Sequence, residues 1–260
     1  MLELYHWEPN IFFLKPLVAL AEKGEPYTAH YFDPTGFRQF EADFPATDES
    51  RLQLEREGPV LVDDGTVIAS SFFMLEYIAE TFAGPALMPQ TPYGRYLVHV
   101  WGQTIALSVA NAVTMLGCAR HLAPALRSRP SQVLQARLAH IEPLERRLAW
   151  TAVLERSEAD AAVAARGQLA APLRRIEAAL TSAPWLAGAE YSIADIDAFA
   201  MLAPLPELAP DLVNANVTPH IAAFLARMQA RPAVRAALAL TRTGRPGHAF
   251  VPGPEASRWG

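Results

Sequence analysis

The sequence contains only one cysteine, Cys118, in 260 residues. A single thiol cannot form an intramolecular disulfide bond, and it cannot supply a metal site built from several thiolates. Basic residues are also in the minority, because 22 lysines and arginines against 27 aspartates and glutamates leave a formal net charge of −5. Such a chain lacks the positive surface that nucleic-acid binding requires. We therefore expect no nucleic-acid partner and a reducing, cytoplasmic compartment.

Signals for secretion or membrane insertion are also missing. The opening residues, MLELYHWE, contain neither the basic segment nor the long apolar segment of a secretory signal. One uncharged stretch, residues 100–119, is long enough to cross a bilayer. Its polar side chains are Gln103, Thr104, Ser108, Asn111 and Thr114. We therefore expect a core helix there and no membrane partner.

Several catalytic motifs are absent as well. The sequence has no glycine-rich loop followed by a phosphate-binding lysine, no Gly-x-Ser-x-Gly nucleophile motif and no Cys-x-x-Cys pair. None of the seven histidines has a second histidine four residues away, so a zinc site on one helix is not expected. We predict no metal site, and any thiol chemistry must use the sulfur of a bound ligand.

The sequence is rich in apolar residues, with 51% hydrophobic and 19% charged, which excludes a disordered chain. Its length suits one large domain or two smaller ones. The first part alternates strand and helix patterns. The predicted order is strand 2–7, helix 12–23 ending at Gly24, strand 27–32, helix 37–44, a hairpin of strands 60–63 and 67–69 around Asp64-Gly65, and helix 71–82.

A cluster of helix-breaking residues lies between this part and the rest of the chain: Gly84, Pro85, Pro89 and Pro92. We divide the chain there into a domain 1–83, a linker 84–92, an all-helical domain 93–240 and a tail 241–260. The tail has little periodicity and is predicted to be extended or mobile. Helices are predicted at 93–126, at 131–154 with a kink or break at Pro143, at 155–181, after a capping box at Ser192 to Asp195, from Thr218-Pro219, and from Arg231-Pro232.

The chain resembles a cytosolic glutathione transferase over nearly its full length. The residues that carry the resemblance are PVLVDDGTVIASS at 59–71, LEYIA at 75–79, SIAD at 192–195 and RPAV at 231–234. Shorter motifs resemble the bacterial β-aryl-etherase branch: LKPL at 14–17, EKG at 22–24, DP at 33–34 and LAW at 148–150. The resemblance implies a thioredoxin-like N-terminal domain followed by an all-helical C-terminal domain, with glutathione as cosubstrate.

The resemblance also implies residues that bind glutathione. Pro59 would have a cis peptide bond that presents the backbone of Val60 to the cysteine unit, although an ordinary strand-start proline is the alternative. Ser70 and Ser71 would bind the γ-glutamyl carboxylate at a helix N-terminus, or they are simply N-capping residues. Ser70 departs from the family, which has an acidic residue there to bind the ligand's ammonium group.

The residue that activates the thiol is not where the family has it. A free cysteine thiol has a pKa of about 8.5 and reacts as the thiolate, so a hydrogen-bond donor to sulfur is needed. The position that should carry a hydroxyl is Phe13. Asn10 is our first candidate donor, although Pro9-Asn10 also suits a simple turn. Tyr5 and His6 are weaker candidates with a structural role as the alternative, and the N-terminus of the following helix could contribute.

A third departure from the family is the charged insert 48–58, which replaces the motif before the proline. Its charged residues suit a solvated loop or short helix, while Arg51 and Arg56 are candidates to pair with the glycine carboxylate of glutathione.

Aromatic residues could form an apolar pocket for the electrophile. Trp7, Phe12 and Phe13 cluster after the first strand, while Trp101 and Met115 lie on one face of the long helix. Such a face more commonly belongs to the core. Cys118 is expected to be a buried, unreactive thiol.

Two functions therefore remain open. The first is glutathione-dependent attack on a small aromatic electrophile, including β-aryl ether cleavage of lignin-derived ketones. The second is a catalytically degenerate subunit, or an aromatic-ligand binding protein, that pairs with an active homologue. The resemblance implies a dimer, either a homodimer or a heterodimer with a related transferase.

Overall fold

The computed structural model describes residues 1–41, 44–45, 57–141 and 144–253. Its N-terminal part is a four-stranded sheet with the order β2-β1-β3-β4. The strands are β1 (Leu2–His6), β2 (Thr28–Tyr31), β3 (Val60–Asp63) and β4 (Thr66–Ala69). β1 pairs with β2 in parallel and with β3 antiparallel, and β3 and β4 form an antiparallel hairpin. Helices α1 (Ile11–Lys23) and α2 (Ser71–Thr81) complete a thioredoxin-like domain.

The local patterns explain these elements. Leu2, Leu4 and His6 of β1 are buried and the residues between them are partly exposed, as expected for a strand. α1 is buried from its first residue to Leu20, and it ends at Gly24, whose φ of 68° is the left-handed conformation that favours glycine. The predicted strand–helix–strand unit, the hairpin and the following helix are confirmed.

The helix predicted at 37–44 is wrong for the described residues of that range. They contain a single 3-10 turn, Arg38–Phe40, preceded by another at Pro34–Gly36. Phe37 separates the two turns with a φ of 65°, and this left-handed conformation cannot continue a right-handed helix.

The C-terminal part is helical. One helix, α3 (Pro92–Arg127), spans 36 residues, which confirms the long helix predicted there. It includes π-helical turns at Ile105–Val109 and Cys118–Leu122. By length and composition α3 could cross a membrane, but 67% of its most apolar window is buried inside the protein, as in a core helix.

Within the described residues, seven further α-helices follow: α4 (Ser131–Ala139), α5 (Leu144–Glu155), α6 (Glu158–Ser182), α7 (Ile193–Leu202), α8 (Leu205–Leu208), α9 (Pro219–Ala230) and α10 (Pro232–Leu238). The helix predicted at 131–154 is thus two helices. Pro143, the predicted break, lies outside the described residues. The capping box is confirmed: the Asp195 carboxylate accepts from the Ser192 backbone N–H at 2.9 Å at the start of α7.

Ion pairs join the two domains. The Lys15 ammonium of α1 lies 2.8 Å from the Asp197 carboxylate of α7, and both side chains are at most 3% exposed. Arg231, next to α10, pairs with Glu22 of α1 at 2.6 Å. These contacts hold α1, which begins at the candidate site, against the helical domain.

Candidate functional site

The turn between β1 and α1 carries the first candidate residue, Asn10. The Asn10 backbone N–H donates to the Glu8 carbonyl at 2.7 Å, and the Asn10 carbonyl accepts from the Phe13 N–H at 3.1 Å. Ile11, the first residue of α1, has a φ of 40°. A positive φ is a genuine outlier for a β-branched residue, so the turn that positions Asn10 is strained.

The Asn10 side chain already has a partner. Its Nδ2 donates to the backbone carbonyl of Ala249 at 2.9 Å, and Asn10 is only 6% exposed. The amide predicted to donate to a thiolate therefore gives one of its two N–H groups to the C-terminal segment.

Tyr5 and His6 are placed differently. They follow each other on β1, so their side chains point to opposite faces of the sheet. The Tyr5 ring stacks on His30 with centroids 4.4 Å apart, which is a packing role. The Nδ1 of His6 lies 2.7 Å from the Trp7 carbonyl, and burial lowers the pKa of His6. His6 is therefore neutral at pH 7 and donates that hydrogen to the carbonyl.

The aromatic residues after β1 belong to the core. Phe12 and Phe13 are at most 1% exposed, and Trp7 is 8% exposed. Phe13 makes edge contacts with Trp7 and Phe32, with centroids 6.1 and 5.9 Å apart. The Lys15 ammonium lies 5.2 Å from the Phe12 ring centre. These rings are therefore packed against other core side chains in this structure.

The two candidates on α3 are also engaged. The Trp101 Nε1 donates to the Leu186 carbonyl at 2.7 Å, and the Arg175 guanidinium lies over its ring. Met115 contacts the Arg156 guanidinium through its sulfur. Both are at most 9% exposed. In this structure both side chains therefore belong to the core, which was the alternative to a role in the pocket.

The N-terminus of α2 holds Ser70 and Ser71. Ser70 has a φ of 68° and a ψ of 115°, an unusual conformation for a residue with a side chain. Ser71 is fully buried, and its Oγ accepts from the Lys15 Nζ at 2.8 Å. The ammonium that pairs with Asp197 therefore also contacts the first residue of α2. The free N–H groups at this helix N-terminus favour an anionic ligand group.

The prediction of a cis peptide bond before Pro59 is wrong. No cis peptide bond occurs among the described residues, so the Gly58-Pro59 bond is trans. The trans form is the intrinsically preferred one, by about 0.5–1 kcal/mol. The alternative, a strand-start proline, matches this geometry. Val60 begins β3 between Tyr5 of β1 and Ala69 of β4.

A buried charge pair lies where the sequence suggested a solvated insert. Glu57 is 1% exposed and Arg146 of α5 is 3% exposed. The Arg146 guanidinium contacts both Glu57 carboxylate oxygens, and the Trp150 Nε1 donates to Oε1 at 2.8 Å. Arg146 and Trp150 lie four residues apart on one helix face, a spacing that could have indicated a shared buried acceptor. The prediction that the charged residues of the insert are solvated is therefore wrong for Glu57.

The candidate arginines of the same insert, Arg51 and Arg56, lie outside the described residues.

The C-terminal segment, residues 241–253, packs against this region. Its first residues surround Glu8, whose carboxylate is 1% exposed. The Glu8 Oε1 accepts from the Tyr31 hydroxyl at 2.7 Å and from the N–H groups of Arg242 and Thr243 at 2.9 and 3.2 Å. The Oε2 accepts from the hydroxyls of Thr241 and Thr243. Burial raises the pKa of Glu8, but these hydrogen bonds outweigh burial and lower it overall.

The end of the segment is buried. Phe250 and Val251 are fully buried and Ala249 is 5% exposed. Phe250 sits so close to Gly117 that a Cβ on Gly117 would lie 2.2 Å from its ring. Arg146 donates to the carbonyls of the segment's last two described residues, Pro252 and Gly253, at 3.3 and 3.0 Å. Residues 241–253 are therefore packed against the rest of the protein, while 254–260 lie outside the described residues.

The structure also brings together three possible metal ligands: His121 of α3, Glu207 of α8 and His248 of the C-terminal segment. One ligand atom from each lies within 4.8 Å of the others. The spacing of histidines along one helix does not indicate this cluster, because its three residues come from segments that are far apart in the sequence. Nearby Cys118 is buried, and burial raises the pKa of its thiol.

A separate cavity of about 470 Å³ contains none of the predicted site residues. Its walls come from α6 and the loop before α9: Ala170, Leu173, Arg174, Glu177, Ala178, Leu212, Val217 and Thr218.

Sequence comparison identifies two family domains. Residues 1–80 match the glutathione S-transferase N-terminal domain, and residues 141–232 match the glutathione S-transferase C-terminal domain. Protein LigF of Sphingobium sp. (strain NBRC 103272 / SYK-6) is 27% identical over 240 residues, which are 90% of this chain and 91% of LigF. A probable glutathione S-transferase of Nicotiana tabacum is 40% identical over 60 residues, 23% of this chain and 27% of that protein.

Structural comparison agrees. The crystal structure of β-etherase LigF from Sphingobium sp. strain SYK-6 has a TM-score of 0.81 at 26% identity, covering 92% of this chain and 98% of LigF. A glutathione transferase of Methylococcus capsulatus str. bath has a TM-score of 0.62 at 25% identity, covering 92% and 98%. The sheet order, the helical second domain and both family matches lead to one conclusion: this chain belongs to the glutathione S-transferase family, whose members are transferase enzymes.

Proposed function

We propose that this protein attacks an aromatic electrophile with glutathione, and that β-aryl ether cleavage of lignin-derived ketones is its reaction. The similarity to β-etherase LigF over most of both chains supports this reaction class. One structural observation carries the proposal. The non-glycine residues Ile11 and Ser70 hold strained backbone conformations at the starts of α1 and α2. Such strain, about 1–3 kcal/mol for each residue, is typical of functional sites.

The proposed binding residues are Pro59, Val60, Ser70 and Ser71. The first turn of α2 has backbone N–H groups without partners inside the helix. Together with the serine hydroxyls, they would attract the γ-glutamyl carboxylate. We also propose that the chain divides into a domain 1–83, a linker 84–92 and a helical domain 93–240.

The proposed reaction is a displacement by sulfur. The glutathione thiolate forms a bond to the carbon beside the ketone carbonyl, the carbon–oxygen ether bond breaks, and the phenolate leaves with the electron pair. The Asn10 amide would donate to the thiolate, with Tyr5 and His6 as weaker candidates. Trp7, Phe12, Phe13, Trp101 and Met115 are the proposed apolar walls, and they would have to leave the core contacts described above to meet an electrophile.

A second candidate is a degenerate subunit or a binding protein for aromatic molecules. It is favoured by Phe13, which cannot donate a hydrogen bond, and by the Asn10 amide, which contacts Ala249 instead. Either function is compatible with a dimer and with the cytoplasm, which we propose as the location.

Calorimetry of the purified chain with reduced glutathione tests the proposal. We expect saturable heat at millimolar glutathione or below, and weaker binding after Ser70→Ala. No heat at millimolar ligand would contradict the enzymatic proposal for the isolated chain.

If glutathione binds, the activating residue can be tested directly. Asn10→Ala should raise the thiol pKa of bound glutathione, measured by the ultraviolet absorption of the thiolate. Each unit corresponds to about 1.4 kcal/mol of lost thiolate stabilisation. Asn216→Ala removes an exposed amide in the loop before α9 and is the matched control. An unchanged thiol pKa in Asn10→Ala would reject Asn10 as the donor.

A further inference from the structure

The C-terminal segment contacts both sides of the turn that carries Asn10. It begins on Glu8, continues through the Ala249 carbonyl on the Asn10 amide, and ends on the Arg146 guanidinium. Glu8 and Asn10 come from the thioredoxin-like domain and Arg146 from the helical domain. The segment therefore lies across the cleft between the domains.

The segment covers the region where the ligand sulfur would bind. Asn10, whose amide donates to the Ala249 carbonyl, is only 6% exposed with the segment in place. A substrate with two aromatic rings could not reach a sulfur atom beside Asn10 in this arrangement. The Ala249 carbonyl also accepts the kind of hydrogen bond that a thiolate would accept.

Different kinds of contact hold the two ends of the segment. The Glu8 anchor is a set of hydrogen bonds to residues 241–243, followed by Gly244 with a φ of 69°. Beyond that turn, the segment is held by the buried Phe250 side chain and by its carbonyls, which accept hydrogen bonds from Asn10 and Arg146. The change of anchor at Gly244 divides the segment into residues 241–243, bound to Glu8, and residues 245–253, held by burial and by these carbonyls.

We propose that residues 245–253 are a gate over the glutathione site, which must release Asn10 before an aromatic electrophile can enter. This inference rests on the proposed function. It makes the gate a determinant of substrate size, because a larger electrophile needs a wider opening.

Hydrogen exchange of the full chain tests the gate. Exchange of the backbone N–H groups of 245–253 should rise several-fold with saturating reduced glutathione. If calorimetry shows binding but this exchange is unchanged or slower, the gate is overturned while the proposed function stands.

A variant tests the gate independently. Phe250→Ala removes the side chain that holds the gate closed, and Phe224→Ala of α9 removes an equally buried phenyl ring elsewhere. We expect Phe250→Ala, but not Phe224→Ala, to raise kcat/KM several-fold for a two-ring aryl ether relative to a single-ring nitroaryl halide. Equal losses of kcat/KM with both substrates would overturn the proposed gate.

The same variant resolves the case in which the native chain binds no glutathione. Binding by Phe250→Ala alone would support a gate that blocks the site. Binding by neither protein would overturn the gate together with the enzymatic proposal.

A second feature of the segment, independent of these contacts, is the cluster of His121, Glu207 and His248. The His121 Nε2 is buried and has no hydrogen-bond partner among the described residues. It lies 3.8 Å from the Glu207 Oε1, too far for a hydrogen bond. The His121 and His248 rings stack with centroids 4.2 Å apart.

The geometry points to a binding site for a divalent transition-metal ion such as zinc. Two imidazoles and a carboxylate are a common zinc ligand set, and ligands about 2.1 Å from a tetrahedral ion lie about 3.4 Å from each other. The three ligand atoms, within 4.8 Å of one another, need to approach by about an ångström. Glu207 and His248 are exposed and can turn towards His121, with the His248 ring leaving the stack.

Such an ion would hold the gate closed, because His248 is the neighbour of Ala249. Calorimetry with Zn²⁺ should show one site that is lost in His248→Ala and retained in His140→Ala, an exposed histidine on another surface. Hydrogen exchange of the backbone N–H groups of residues 245–253 should slow several-fold with Zn²⁺ in the wild type only. Equal Zn²⁺ affinity in wild type and His248→Ala would overturn the site, and so would exchange that Zn²⁺ does not slow.

Discussion

At the scale of single residues, backbone strain marks the candidate site more clearly than any side-chain motif. Ile11 and Ser70 both have positive φ without being glycine. Ile11 is next to Asn10, our first candidate donor, and Ser70 is next to Ser71, which the family resemblance assigned to glutathione binding. Strain of this kind persists only where the surrounding structure imposes it.

Ser70→Gly should therefore stabilise the protein by about 1 kcal/mol, because glycine adopts this conformation without the steric penalty of a side chain. Urea unfolding measures the change. Ser70→Ala is the matched control, since it removes the hydroxyl but keeps the strain. Equal stability of the two variants would contradict the strain argument.

Glu8 should make stability depend on pH. Its pKa is lowered in the folded protein, since the hydrogen bonds from Thr241, Tyr31, Arg242 and Thr243 outweigh burial. The stabilisation is therefore fully present above the unfolded pKa of about 4.3 and is lost as pH falls through the folded pKa.

Glu8→Gln should lower the free energy of unfolding by about 1–3 kcal/mol at pH 7, because buried donors lose their charged acceptor. The difference from wild type should shrink as the pH falls below the unfolded pKa, measured by urea unfolding between about pH 3 and pH 7. A difference that is independent of pH would show that Glu8 acts through packing alone.

At the scale of elements, α2 and α3 both carry exposed aromatic side chains. Phe73, Tyr93 and Tyr96 are 61%, 69% and 58% exposed, and the two tyrosine rings stack with centroids 5.9 Å apart. Large aromatic side chains on one surface are typical of protein interfaces. We propose that a second copy of this chain, or a related transferase, packs there.

Phe73→Glu should convert a dimer of the purified chain into a monomer, because a charge would be buried without a partner in the interface. Light scattering after size-exclusion chromatography measures the mass. Val163→Glu, an exposed apolar residue of α6, is the control and should leave the mass unchanged. A wild-type monomer at micromolar concentration would argue for a heterodimer partner or none.

At the scale of the whole molecule, the Glu57–Arg146 pair couples three parts of the chain. Glu57 precedes β3, Arg146 belongs to α5, and the same guanidinium binds the end of the C-terminal segment. A buried ion pair is weak evidence for stability in itself, but removing one partner leaves a buried charge uncompensated.

Glu57→Gln should therefore lower the free energy of unfolding by about 3–5 kcal/mol. The double variant Glu57→Gln/Arg146→Met should lose less than the sum of the two single variants. Asp211→Asn breaks the exposed Arg166–Asp211 pair, 48% exposed on each side, and should leave stability almost unchanged. Additive losses at Glu57 and Arg146 would contradict the coupling.

The elements of the first domain could be predicted from the sequence because their signals are local. Alternating burial in β1, the glycine after α1 and the Asp64-Gly65 turn each depend on a few adjacent residues. The helix predicted at 37–44 was wrong because apolar spacing does not report the left-handed backbone at Phe37.

The candidate site was only partly predictable, because its decisive contacts join residues far apart in the chain. The position of Asn10 at the start of α1 follows from the local pattern, but its hydrogen bond to Ala249 spans most of the sequence. By itself, the sequence excluded an intramolecular disulfide through its lone cysteine, and its motifs carried the resemblance to a glutathione transferase fold. Only the tertiary structure decided that Glu57 is buried and that 241–253 cover the cleft, because burying a charge or a terminal segment depends on partners that folding brings together.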